Sequence, residues 1–125
     1  MTPSATDAAT RGRQAEELAC RYLVEQGLQI KLRNYRCARG EIDLIMHDGD
    51  TVVFIEVRFR RSNRFGSGAE TVDRRKQSRL IATASHYLQS QGGGGPDVAA
   101  RFDVVALSPG DDRQTIEWIR NAFQA

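Results

Sequence analysis

Two strand-like runs, one alternating and one dense in β-branched and aromatic residues, joined by Asp48-Gly49-Asp50, constrain this chain more than any other feature. In the first run Ile42, Leu44 and Met46 alternate with Glu41, Asp43 and Ile45. The second, Thr51 to Phe59, is dense in Val, Ile and Phe, which suit a pleated, half-buried surface. Asp-Gly between two such runs is a hairpin signal, so residues 41 to 59 are expected to form a β-hairpin. If Gly49-Asp50 is the two-residue loop, paired positions sum to 99, Asp43 lies opposite Glu56, and Glu41 lies opposite Arg58. If the loop is Asp48-Gly49, the sum is 97, Glu41 faces Glu56, and Asp43 is a diagonal neighbour. Side chains alternate with period two, so either register keeps Glu41, Asp43, Glu56 and Arg58 on one face.

The rest of the chain builds around that hairpin. From Arg11 to Gln26, Ala15, Leu18, Ala19, Tyr22 and Leu23 mark one face of an amphipathic helix, with Gly27 as its stop. Residues 1–10 read as a disordered tail and 11–125 as a single domain. Leu28 to Arg36 reads as extended, with Leu28, Ile30 and Leu32 alternating against polar residues. After a polar loop, Thr71 is placed to cap a long helix to about Gln91, whose apolar side uses Leu80, Ile81, Ala84, Tyr87 and Leu88. Gly92 to Pro96 is a connector. Arg101 to Leu107 and Thr115 to Ile119 read as strands. The expected fold is α/β (α+β), in the order αβββαβ(β): a mixed sheet of four to five strands flanked by helices, with one parallel pairing across the second helix.

Net charge is only +2, but eight of the 18 Lys and Arg residues fall between Arg58 and Arg79, opposed there by Glu70 and Asp73 alone. Sixteen of the 18 are arginine, whose planar fork grips phosphate. Arg60, Arg61, Arg64, Arg74, Arg75 and Arg79 are therefore candidates for binding nucleic acid, with a solvated arginine-rich face as the alternative. Phe65 between arginines adds a plausible stacking group. No apolar stretch approaches the ~20 residues of a membrane helix. Residues 1–10 lack the pattern of a signal peptide, and Cys20 and Cys37 are too few for a disulfide scaffold, so a reducing cytoplasm is the expected compartment.

Two carboxylates facing each other across a hairpin repel. One resolution is structural, with Arg58 completing a cross-strand salt-bridge cluster. The other is chemical: Asp43 and Glu56 hold Mg²⁺ or Mn²⁺, a strand carbonyl such as that of Val57 completes the protein's share, and water and phosphate oxygens fill the rest. Asp103, inside an apolar strand, is expected to be structural, either joining a polar cluster or pairing with Arg101. His47, His86 and Cys20 are expected to be structural or exposed, and Trp118 to be core or a partly buried lid.

Gly40-Glu41-Ile42-Asp43-Leu44-Ile45 followed by Phe54-Ile55-Glu56-Val57-Arg58-Phe59-Arg60 resembles the YraN family of small bacterial proteins, grouped with PD-(D/E)XK and Holliday-junction resolvase-like endonucleases. Gly12, Ala15, Glu16 and Ala19 resemble its first helix and Asn34-Tyr35-Arg36 its first strand. Lys76-Gln77 and Ala84 resemble its second helix, and Arg101-Phe102-Asp103-Val104-Val105 its later strand. The resemblance implies a restriction-endonuclease-like core in which Asp43 and Glu56 are metal ligands. It further implies that Arg58 occupies the lysine position, that Glu16 reaches the site from the first helix, and that Gln77 or Lys76 approaches from the second. An arginine cannot lose its proton as a lysine can, so Arg58 is suited to balancing phosphate charge and not to acting as a base. Three functions follow as expectations: a Mg²⁺- or Mn²⁺-dependent endonuclease, a nucleic-acid-binding module of the same fold with weak or no cleavage, and a structural partner protein. Nucleic acid, DNA before RNA, is the expected partner. A homodimer stays open, since resolvases pair on two-fold symmetric junctions but no interface is legible here.

Overall fold

The computed structural model describes residues 4–59, 72–90, 92–95, 97–109 and 114–124. Helix α1 (Ser4–Glu25) begins at Ser4 and not at Arg11, so residues 4–10 are helical where a tail was expected. Ala5, Ala8 and Ala9 are strong helix formers and favour the early start. The buried stripe of α1 is Ala15, Ala19, Cys20 and Leu23, while Leu18, expected on that stripe, is exposed. The helix closes as the stop signal requires: Leu28 N–H donates to the Leu23 carbonyl (3.0 Å) and Gly27 takes φ 107°.

Strand β1 (Gln29–Cys37) pairs antiparallel with β2 (Gly40–Asp48), which pairs antiparallel with β3 (Thr51–Phe59). The β2–β3 register runs from Asp48↔Thr51 to Leu44↔Ile55, so Gly49-Asp50 is the loop and paired positions sum to 99. The expected inward alternation of β1 does not hold. Ile30 and Leu32 are each 40% exposed, because β1 is an edge strand and its register shifts between these two residues.

Helix α2 (Arg74–Gln89) carries the chain from β3 to β4 (Ala100–Pro109), which lies parallel to β3. The helix is capped by Asp73, whose carboxylate accepts from Lys76 N–H (2.8 Å). Thr71, the expected cap, lies outside the described residues. Strand β5 (Gln114–Phe123) pairs antiparallel with β4 and is longer than the Thr115 to Ile119 segment expected. The mixed sheet has five strands in the order β1-β2-β3-β4-β5.

Alternate residues of the central strands feed two separate cores. Leu44, Met46, Val53, Ile55, Val105 and Leu107 pack with α1. Ile45, Val52, Phe54, Phe102 and Val104 pack with α2. The helices therefore cover opposite faces of one sheet, and groups from both can meet only where a strand ends or its alternation breaks. Among the described residues, no helix is long and apolar enough to cross a membrane.

Candidate active site at the open end of the hairpin

The β2–β3 pairing gives way just past Leu44↔Ile55. There the Asp43 carboxylate takes a backbone donor: Val57 N–H donates to Asp43 Oδ2 at 2.8 Å. Beyond the last pair, Asp43 and Glu56 come together on one cavity. Gly40 lets this end of the hairpin approach α2. It has φ 154°, and a Cβ there would sit 3.1 Å from Thr83 Oγ1. The result is a cavity of about 230 Å³ lined by Gly40, Glu41, Asp43, Glu56, Lys76, Arg79 and Leu80.

Glu56 is 5% exposed, and its Oε2 meets Lys76 Nζ at 3.2 Å and Arg58 Nη1 at 3.4 Å. A carboxylate so buried is tolerable only with such partners. Asp43 is less well served. Burial first, and the neighbouring Glu56 second, push its pKa up to about 8, against the opposing hydrogen bond from Val57. Glu16 reaches Asp43 from α1, and its own pKa is raised by burial, with Asn34 opposing and Glu41 and Glu56 adding. Asp43 and Glu56 also interact directly through their side chains, which adds to the upward push on Asp43.

The cluster brings together Asp43, Glu56, Arg58, Lys76 and Glu16 from β2, β3, α2 and α1. Of the two alternatives on α2, Lys76 reaches Glu56, whereas the Gln77 side chain turns back to donate to the Val72 carbonyl (2.9 Å). Val57 meets the site through its N–H. Arg79 lines the cavity, and Arg74 and Arg75 are exposed on the first turn of α2. Arg60, Arg61 and Arg64 lie outside the described residues. Sequence reasoning did not single out Asn34 or assign a site role to Glu41, which lines the cavity. Asparagine's tolerance of positive φ was the available signal for the first.

Among the described residues, no three Asp, Glu, His or Cys side chains form a metal-binding group. What is present is a pair of carboxylates on hard oxygen donors with space in front of them. That donor set suits a divalent cation such as Mg²⁺, which takes one or two carboxylates and completes its shell with water and phosphate.

The polar residues expected to be structural have partners elsewhere. Asp103 pairs with Arg101 Nε (3.1 Å) and also accepts from Trp118 Nε1 (2.9 Å) and Asn121 N–H (2.8 Å). His86 Nδ1 meets Tyr35 OH at 2.5 Å, and Cys20 packs in the α1-side core. Trp118 is partly buried against that core, edge-on to Tyr22 and beneath Arg120.

Fold and site together define a mixed α+β domain of αβββαββ order, with an acidic pair at the mouth of its central hairpin. The chain belongs to the uncharacterised protein family UPF0102, the YraN family, whose sequence profile matches residues 15–107. It is 50% identical to a UPF0102 protein of Nitrosococcus oceani over 114 residues, covering 91% of each chain. It is 51% identical to one of Nitrosomonas europaea over 118 residues, covering 94% of this chain and 97% of the relative. Against one of Methylococcus capsulatus it is 47% identical over 125 residues, covering 100% and 99%.

Proposed function

We propose that the protein is a nuclease-like enzyme of the cytoplasm that acts on phosphodiester bonds of nucleic acid with the help of Mg²⁺ or Mn²⁺. The observation that carries this reading is the convergence of Asp43 and Glu56 on one cavity beside Lys76 and Arg58. Asp43 and Glu56 are the residues that would hold the cation. Such an ion supplies Lewis-acid polarisation of a phosphate oxygen and of water. Arg58 stays charged at every working pH and is placed to balance negative charge on phosphate. Lys76 brings from α2 the ammonium that the hairpin lacks at position 58, and a lysine can give up or take a proton where an arginine cannot. Arg74, Arg75 and Arg79 extend positive charge along α2, where a flanking nucleic-acid backbone would lie.

The test is Mn²⁺-dependent cleavage of junction, flap and single-stranded substrates by the wild type and by Asp43→Ala. Cleavage is expected from the wild type and not from the variant; equal residual activity in both would reject the assignment. One observation favours a second reading, a binding module without efficient cleavage: arginine stands where the resembling nucleases have lysine. On that reading Asp43→Ala binds nucleic acid as well as the wild type or better, because it removes negative charge, and neither protein cleaves.

A further inference from the structure

Asn34 has φ 54°, a left-handed conformation in the middle of an edge strand. It is flanked by the pairs Arg33↔Leu44 and Tyr35↔Ile42, which place it opposite Asp43. In a regular strand residues two apart share a face. Here they do not. Arg33 reaches Glu17 and Cys20 on the α1 side, while Tyr35 packs on Tyr87 and His86 on the α2 side. Their partners on β2 divide the same way, Leu44 into the α1 core and Ile42 into the α2 core. The strand pair thus turns over at Asn34 and Asp43, which leaves Asp43 accessible to both helices.

Glycine would take this backbone conformation with less strain. The asparagine side chain supplies what glycine lacks. With its amide oriented so that donors face acceptors, Nδ2 donates to Glu41 Oε2 (3.1 Å) and Glu16 Oε1 (3.2 Å). In the opposite orientation the amide oxygen would face only acceptors. We propose that Asn34 is a positioning residue of the candidate site: its backbone turns β1 over beside Asp43, and its carboxamide clamps Glu16 to Glu41 so that Glu16 faces Asp43. The proposal rests on the metal-dependent reading above and adds the means by which α1 is held to the cavity. A donor shared by two acids satisfies an oxygen of each, and so eases the approach of Glu16 to the buried pair.

The experiment is a thermodynamic cycle of Mn²⁺ affinity over wild type, Asn34→Gly, Glu16→Ala and the double variant, with a metal-free readout beside it. Glycine keeps the backbone conformation, so Asn34→Gly is expected to retain its melting temperature. It is expected to lose roughly 10- to 100-fold in Mn²⁺ affinity, the usual cost of removing a group that orients a ligand shell. In the Glu16→Ala background the same change should be nearly silent. An equal loss in both backgrounds, or no loss in either, overturns the proposal. Should Asn34→Gly not fold, Asn34→Asp replaces it, since aspartate tolerates positive φ but brings no donor. In metal-free protein, the Asn34 side-chain amide NMR signals are expected to move on Glu16→Ala more than any other Asn or Gln amide; no such movement overturns the clamp. If the wild type binds no Mn²⁺, the metal-dependent reading fails, and this amide signal alone decides for or against the clamp.

Discussion

Two acids sit on either side of the central strand β3, Asp43 on β2 and Asp103 on β4, and live in opposite circumstances. Asp103, 1% exposed, accepts from Arg101, Trp118 and the backbone of Asn121, and Arg101 is anchored in turn by Asp48 (3.0 Å). Among the described residues, Asp43 takes a backbone donor from Val57 and has two other carboxyl groups, Glu16 and Glu56, close by. The first acid is satisfied and holds β5 to β4 at a register shift. The second is contested, and burial among like charges raises its proton affinity. A protein that needed only a salt bridge at Asp43 would supply it as it does at Asp103. The difference marks the hairpin mouth as the place where the fold leaves an acid poorly compensated, as the proposed function requires.

The comparison can be broken most forcefully at Asp103. Asp103→Ala leaves the mostly buried Arg101 without its main partner and is expected to cost about 3–5 kcal/mol in denaturant unfolding. A cost under about 1 kcal/mol would make Asp103 no better satisfied than a surface acid.

Asp43→Asn should act the other way, and with a pH signature. The folded-state pKa of Asp43 lies above its ordinary value of 3.8, so the native state holds the extra proton and stability falls as pH rises from about 4 to about 8. Asparagine mimics the protonated form and escapes that loss. Its melting temperature should match the wild type near about pH 4 and exceed it by about 5 °C or more near about pH 9. A constant offset across this range would remove the contrast between the two acids.

A finer cut is Trp118→Phe, which deletes one of the donors to Asp103 and should cost about 1 kcal/mol, since the remaining bonds persist. The smallest effect concerns the flank of the contested site. Arg75→Ala should lower the salt dependence of nucleic-acid binding by roughly one phosphate contact, with the fold unchanged.

Much of this was legible in the sequence, for identifiable reasons. The hairpin could be read because an Asp-Gly turn between β-rich runs is a local signal, but the expected alternation breaks at Asp43: Leu44 and Met46 enter the α1-side core and Ile42 the α2-side core. The start of α1 at Ser4 was missed because the expectation rested on apolar periodicity, which begins later, and not on the helix propensity of the alanines. The exposed Ile30 and Leu32 were misread because an edge strand with a register shift no longer obeys alternation. The choice of Lys76 over Gln77 depends on the rotation of α2 about its own axis, which no local pattern specifies. The role of Asn34 required knowing that Arg33 and Tyr35 part company across the sheet, a consequence of one backbone angle.

The two helices are bound to separate cores on opposite sides of the sheet, yet each sends a side chain to the hairpin mouth. Glu16 and Lys76 are both only partly buried, so either can be exchanged without opening a hole in the interior. Substitutions at these two positions are therefore expected to retune the charge around Asp43 and Glu56 while the scaffold beneath stays intact.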